Sequence, residues 1–285
     1  MANLHNKFLE FDKAISLSPK RKKKLIASRK AVENSITDYF RKNTNLTIPV
    51  FYIQGSYKTD TIILKKDNTY DVDLGVYFKS KPNIKPKTLQ QNVLRAVKNQ
   101  TETGIQHKNK CIRIIYKGEF NIDLPVYYYP KNNTHPFLAT KKNWEKSNPK
   151  ELTIWLENKK DKSGQLIRII KYMKTWTNAR KYKMPSGIAL TVWAAKYYKA
   201  DQRDDIAFLK TLEAIKLSFL LKGVKCINPA TPKDNLAVKL SSDQKKRFKN
   251  TMENIIKDGK KAINESNNTK AFNLWKQHLG NRFNR

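Results

Sequence analysis

The chain of 285 residues has only two cysteines, too few for a zinc or disulfide framework, and redox chemistry is not expected. Cys111 and Cys226 lie far apart and read as small apolar residues. His5, His107, His135 and His278 show no ligand or triad spacing. No uncharged apolar run approaches the roughly 18 residues of a membrane span, and the opening MANLHNKFLEFDK lacks an apolar h-region. A cytoplasmic protein with no membrane partner is expected. Negative charge is scarcest relative to its opposite: 24 Asp and Glu against 58 Lys and Arg, a net +34. That is well beyond the magnitude of about 2–8 usual for a small soluble domain. Such a surface repels itself and attracts polyanions by neutralising phosphates, which points to nucleic acid or nucleotides. A lysine-biased, AT-rich genome, which also favours Asn and Ile, is the other source of such a composition.

What is present divides by periodicity. Ser18 and Pro19 give an N-cap and a first-turn proline, and the spacing predicts a helix over 18–40. Leu25, Ile26, Val32, Ile36, Tyr39 and Phe40 gather on one side of it, and Lys20, Lys23, Lys24 and Lys30 on the other. From about 48 to 130 the period becomes two. In DVDLGVYF, Val72, Leu74, Val76 and Phe78 share one face and Asp71, Asp73, Gly75 and Tyr77 the other. FNIDLPVYYY places Phe120, Ile122 and Leu124 on a core face and Asn121 and Asp123 opposite; CIRIIY reads as its hairpin partner through Lys117-Gly118. Residues 87–99 look helical. An antiparallel or mixed sheet follows.

Beyond the polar stretch 141–151 the pattern is helical to the end. Leu166, Ile169, Ile170, Met173 and Trp176 form a stripe that leaves Arg168, Lys171 and Lys174 outside it, and further helices are expected over 187–198, 205–222, 242–264 and 271–279. The fold class is α+β, with lobes over residues 1–150 and 151–285.

An Asp-x-Asp pair is by itself weak evidence, since two solvated carboxylates on a strand's polar face are ordinary. Here Gly55-Ser56 precedes the pair by a short loop, and Asp123 lies in the same phase on a later strand. Three carboxylates brought together raise one another's pKa unless a cation compensates them. Magnesium prefers hard oxygen ligands and leaves room for phosphate, and two such ions can clamp an in-line phosphoryl displacement. Gly55 would let the backbone approach phosphates, and Ser56 could donate to them.

Gly-Ser, an Asp-x-Asp strand and a third acid on a later strand resemble the DNA polymerase β-like nucleotidyltransferase superfamily. QGSYKTDTI with DVDLGVYF, FNIDLPVYYY, IRIIKYMKTW, MPSGIAL and NPATPKDNL is similar to the cGAS/DncV-like nucleotidyltransferases (CD-NTases) of bacterial anti-phage CBASS systems. The resemblance implies a two-lobed fold, with a mixed sheet and a long basic helix in the first lobe and an all-helical second lobe. It implies an enzyme that joins ribonucleoside triphosphates (ATP, GTP or others) into a cyclic second messenger read by a downstream effector. Asp71, Asp73 and Asp123 would hold two Mg2+ ions, or Mn2+ in their place. Gln54, Gly55 and Ser56 would bind the donor triphosphate, and Lys171 and Ser186 would contact phosphates. Where some members have Ser-Tyr, this chain has Ser186-Gly187, so base stacking would come from elsewhere. By analogy with the animal relative, Lys20, Arg21, Lys23, Lys24 and Lys30 would bind an RNA or DNA activator.

Other readings remain at this stage. Ser186 is also a plain N-cap, Lys171 an exposed lysine and the basic helix face a solvated one. Tyr127, Tyr128 and Tyr129 are either a stacking surface or half-buried sheet aromatics. Template-independent extension of RNA 3′ ends shares the metal triad, and a non-catalytic RNA-binding protein shares the charge.

Overall fold

The computed structural model describes residues 1–130 and 135–284. The chain forms two compact units, one of Leu17–Thr153 and one of Met1–Ser16 together with Ile154–Arg285. Helix α1 (His5–Ile15) therefore belongs with the C-terminal helices, whereas the sequence division places it in the first lobe. Aromatic packing is the reason. Buried Phe8 and Phe11 set their rings 5.2 and 5.6 Å from Tyr172, and 5.1 and 5.4 Å from Phe283.

In the unit of residues 17–153, α2 (Pro19–Asn43) begins where the Ser18 hydroxyl accepts from the Arg21 N–H and Pro19 takes the first helical position. Leu25, Val32, Ile36 and Phe40 are buried, and Phe40 meets Phe78 edge-on at 5.2 Å. Ile26, expected among them, is 49% exposed. At 100° per residue it lies past the rim of the stripe those four define.

Strand β1 (Val50–Gln54) leads into a single helical turn, α3 (Gly55–Lys58), and pairs antiparallel with β2 (Tyr70–Phe78). Helix α4 (Pro86–Val97) follows. Then come β3 (Ile105–His107), β4 (Ile112–Tyr116), β5 (Phe120–Leu124), β6 (Val126–Tyr128), β7 (Phe137–Ala139) and β8 (Trp144–Lys146). The sheet order is β3-β4-β5-β2-β6-β7-β8, with β1 added onto β2. It is mixed: β5 and β6 both run parallel to β2, and the remaining pairs are antiparallel. β5 and β6 are one run of chain interrupted at Pro125, which has no N–H for the ladder but whose carbonyl accepts from Val76 N at 2.9 Å. Val72, Leu74, Val76, Phe78, Phe120, Ile122 and Leu124 are buried as the alternation predicts. The expected hairpin of β4 and β5 closes through Gly118 at φ +72°.

In the other unit, α5 (Pro149–Glu157) crosses the boundary, followed by α6 (Gln165–Asn178), α7 (Gly187–Tyr197), α8 (Asp204–Lys222), α9 (Ser242–Asn264) and α10 (Asn268–Leu279). Ser186, Ser241 and Asn267 cap α7, α9 and α10 through their side chains. The unit is not wholly helical, because β9 (Ile227–Asn228) and β10 (Thr231–Asn235) form a small hairpin over INPATPKDN. That segment is short, polar and proline-broken, and carries no alternation to read. The predicted stripe of α6 is fully buried, but so is Lys174, at 9% exposure, because α1, α7, α8 and α10 all pack on this helix.

Asp204, buried at the start of α8, accepts from Arg168 Nε at 2.6 Å and Nη2 at 2.9 Å, the Tyr172 hydroxyl at 2.9 Å and Gln165 Nε2 at 2.9 Å. Burial pushes its pKa up, but the donors and the Arg168 charge outweigh this and hold the carboxyl below its ordinary 3.8. A lowered native pKa stabilises the fold above the ordinary value, and the contribution is lost as pH falls through the lowered one. Asp204→Ala should cost about 3–5 kcal/mol at neutral pH, as loss of one partner of a buried pair does. The difference from wild type should shrink below about pH 4. Denaturant melts across that range measure both effects.

Candidate active site

The site begins with register. Gln54 at the end of β1 faces Asp73 on β2, and in the parallel pair β2–β5 Asp71 faces Asn121 and Asp73 faces Asp123. Alternation turns all three acids to the same side of the sheet, away from Val72, Leu74 and Ile122. The structure thus brings Asp71, Asp73 and Asp123 onto neighbouring positions of one face.

At the end of β1 the chain turns sharply. Gly55 sits at φ +66°, and a Cβ there would lie 2.1 Å from Asp73 Oδ2, so the backbone favours glycine and any larger residue would displace the carboxylate. Thr59 Oγ1 donates to the Gly55 carbonyl at 3.2 Å and contacts Thr61 Oγ1 at 3.0 Å, while Thr61 N donates to the Ser56 carbonyl at 2.9 Å. The TDT of QGSYKTDTI thereby fixes the Gly55-Ser56 turn. Gln54 is buried; the Tyr77 hydroxyl donates to its Oε1 at 3.0 Å, and its Nε2 donates to the Tyr127 hydroxyl at 3.4 Å. The Gln54 amide is thus committed to supporting the turn. Tyr127 stacks on Tyr77 at 4.5 Å, and Tyr127 and Tyr128 are buried, which makes them sheet aromatics rather than an open stacking surface.

Cationic and amide groups that the sequence reading did not single out surround the acids. Lys65 Nζ donates to Asp71 Oδ2 at 2.5 Å and Asn121 Nδ2 to Asp71 Oδ1 at 2.8 Å. Arg113 grips Asp123 with both arms of its fork, Nε to Oδ1 at 2.7 Å and Nη2 to Oδ2 at 2.6 Å, and Nη2 lies 3.6 Å from Asp71 Oδ1. Burial would raise the Asp71 pKa, but the bonds from Asn121 and Lys65 and the charges of Lys65 and Arg113 prevail and lower it. Burial, then Asp123, pushes the Cys111 thiol up to about 12, so it stays protonated and inert. Arg113 was legible after all: counted outward from the Lys117-Gly118 turn, the hairpin pairs it with Asp123.

Among the described residues no three His, Cys, Asp or Glu side chains are gathered closely enough to hold a metal ion. The donor set itself suits a hard dication, being all carboxylate on one face, and what draws Asp123 aside is a side-chain partner, not the backbone. The three residues therefore fit magnesium by chemistry and register, with Arg113 as its competitor.

In the helical unit, Lys171 Nζ is engaged by Asp12 Oδ1 at 3.1 Å and Ser16 Oγ at 3.0 Å. Ser186 accepts from Ala189 N at 3.3 Å as the α7 cap, so its N-cap role is real. Lys174 lies against the start of α7: a Cβ on Gly187 would be 3.5 Å from Lys174 Cε. On α2, Lys20, Lys23, Lys24 and Lys30 are exposed and Arg21 is half-buried. Two of these are engaged, Arg21 donating to the Asn68 carbonyl at 2.6 Å and Lys24 pairing with Glu119 at 2.6 Å. All four histidines have structural partners: His5 accepts from Asp204 N, His107 meets Gln90, His135 meets Asn148 and His278 meets Asp258.

Residues 49–127, which hold the turn and all three acids, match the nucleotidyltransferase domain family described as cyclic GMP-AMP synthase DncV-like. The chain is 30% identical over 206 residues to a cyclic GMP-AMP synthase of Escherichia albertii, covering 65% of this chain and 46% of that one. It is 25% identical over 251 residues to a cyclic AMP-AMP-AMP synthase of Acinetobacter sp., covering 81% and 72%. The chain thus spans about half the length of the first of these relatives. Among solved structures, the DncV cyclic AMP-GMP synthase of Vibrio cholerae matches with a TM-score of 0.85 at 19% identity, over 99% of this chain and 97% of that one. The Bradyrhizobium diazoefficiens CD-NTase CdnG in complex with GTP matches at 0.82 and 13%, over 97% and 94%. The fold is the two-lobed polymerase β-like one, and the sequence is similar to the bacterial cGAS/DncV-like nucleotidyltransferases, with residues 49–127 matching their nucleotidyltransferase domain. No helix among the described residues is long and apolar enough to cross a membrane.

Gly55→Ala should lower stability by about 1–2 kcal/mol from the left-handed backbone alone, with a further loss from displacing Asp73. Denaturant unfolding of that variant beside Gly118→Ala, where a Cβ meets nothing, separates the two contributions.

Proposed function

We propose that the protein is a metal-dependent nucleotidyltransferase that joins ribonucleoside triphosphates into a cyclic di- or oligonucleotide second messenger, in the cytoplasm and in anti-phage CBASS defence. The observation that carries this reading is the set of three carboxylates in register on β2 and β5, beside the left-handed Gly55 turn. Relatives named for cyclic GMP-AMP and cyclic AMP-AMP-AMP synthesis support it, as do DncV structures with nonhydrolyzable GTP and with the linear intermediate pppA(3′,5′)pG.

In the reaction a ribose hydroxyl of one nucleotide attacks the α-phosphorus of another. The bond from that phosphorus to the oxygen bridging to the β-phosphate breaks, pyrophosphate leaves, and the hydroxyl proton passes to solvent. A further attack within the linear product, by its free ribose hydroxyl on the α-phosphorus of its own 5′-triphosphate, expels another pyrophosphate and closes the ring. Asp71, Asp73 and Asp123 would hold Mg2+, or Mn2+ in its place; the bound metal would neutralise the triphosphate and favour ionisation of the attacking hydroxyl. Gly55 keeps the turn close enough for its backbone to meet phosphate, and Ser56 offers a hydroxyl and an N–H. Lys171 and Ser186 are assigned to phosphate contacts by family likeness, and Lys174 joins them as a buried cation beside the α7 N-terminus. Lys20, Arg21, Lys23, Lys24 and Lys30 form the candidate surface for an RNA or DNA activator, and a separate effector would read the product.

Incubation with the four ribonucleoside triphosphates and Mg2+, followed by phosphatase and mass spectrometry, should reveal a resistant small cyclic product. Asp71→Asn or Asp73→Asn should reduce it by at least about 10²–10³-fold. Lengthened RNA in place of a cyclic product would turn the assignment to RNA 3′-end transfer, and no turnover with RNA bound would leave a binding protein.

Two further substitutions resolve the accessory residues. Lys171→Ala should raise the KM for triphosphate about tenfold, the value of one charge-assisted hydrogen bond. A loss of stability with KM unchanged would instead assign Lys171 to anchoring α1 through Asp12. Duplex RNA should raise turnover in a salt-sensitive way, and neutralising the five α2 cations should remove the effect; full activity without nucleic acid, unchanged by the substitutions, refutes the activator.

A further inference from the structure

We infer that Arg113 is a positioning residue that gates the metal site: its guanidinium holds Asp123 as a bidentate pair, and the third carboxylate joins Asp71 and Asp73 around a metal only when that guanidinium lets go. The inference rests on the reading of these three acids as metal ligands.

The pairing is built into the sheet. Arg113 and Asp123 are directly opposed across the antiparallel β4–β5 hairpin, so they meet whenever the hairpin forms. Both arms of the fork are used, at 2.7 and 2.6 Å, and the side chains are only 20% and 14% exposed, so water screens the pair weakly. The same Nη2 lies 3.6 Å from Asp71 Oδ1, which places the positive charge between two of the three carboxylates. An arginine keeps its charge at every working pH, so a dication entering there meets a fixed like charge as well as an occupied ligand. Lys65 on Asp71 differs in kind. It reaches Asp71 through one Nζ–Oδ2 bond rather than a fork, from a flexible side chain that is 35% exposed, and water can take its place there.

A metal and Arg113 therefore compete for Asp123. The guanidinium is released at least cost by an anion that offers it another pair of oxygens, and the triphosphate group of the substrate is such an anion. Nucleotide and metal then bind cooperatively: each raises the affinity for the other, because each favours the state in which Arg113 has left Asp123.

Mn2+ binding without nucleotide, read by electron paramagnetic resonance of the free ion, tests this on the full chain. Arg113→Gln should bind Mn2+ roughly tenfold or more tightly than wild type, within the roughly 10–100-fold by which neighbours of metal ligands shift affinity. Arg113→Lys keeps the charge but loses the fork, and it should also bind more tightly than wild type. That variant separates the pairing from a mere change in net charge and keeps the test open should Arg113→Gln fold poorly. Equal affinities in all three proteins, or a lysine variant that matches wild type, overturn the inference while the metal site stands. Mn2+ binding that survives Asp71→Asn in the Arg113→Gln background, or no binding in any protein, overturns the carboxylates as metal ligands and the gating with them.

Discussion

The parallel pairing of β2 with β5 is the constraint on which the site depends. It sets Asp73 beside Asp123 and Asp71 beside Asn121, and with β1 on the other side of β2 it sets the Gly55 turn against the Asp73 carboxylate. A shift of one residue in this register would turn every acid into the core and every valine, leucine and isoleucine out of it. The apolar face therefore specifies the chemistry of the polar one: burial of Val72, Leu74, Ile122 and Leu124 leaves the three carboxylates a single side to occupy.

Charge compensation then organises what surrounds that face. In a chain of net +34 the acids draw Lys65, Arg113 and Asn121. The helical unit solves a comparable problem differently. Asp204 is buried with four donor contacts from three side chains and serves structure alone. The difference is exposure, since the Asp71 side chain is 31% exposed and that of Asp204 is fully buried. A partly open carboxylate can exchange its partner for a ligand, whereas a sealed one cannot.

Much of this was legible in the sequence. The period-two faces, the hairpin through Gly118, the caps at Ser18 and Ser186 and the stripe of α6 follow from spacing and cap chemistry, and the Asp triad follows from phase. What was not legible depended on distant partners. Lys174 reads as surface because its burial comes from helices that meet α6 from several sides. The engagement of the Gln54 amide is equally hidden, because the tyrosines that claim it lie 23 and 73 residues further along the chain. The β9–β10 hairpin reads as coil because its residues are short and polar.

The discontinuity of the helical unit has a consequence for biogenesis. Helix α1 is translated before the whole sheet unit, yet its aromatic neighbours Tyr172, Phe208, Trp275 and Phe283 are all translated after it. Residues 17–153 are therefore made while Phe8 and Phe11 await their pocket, which is complete only once Phe283 has been added. Helix α1 thus works as a latch, since a product ending before Trp275 and Phe283 lacks rings against which it settles.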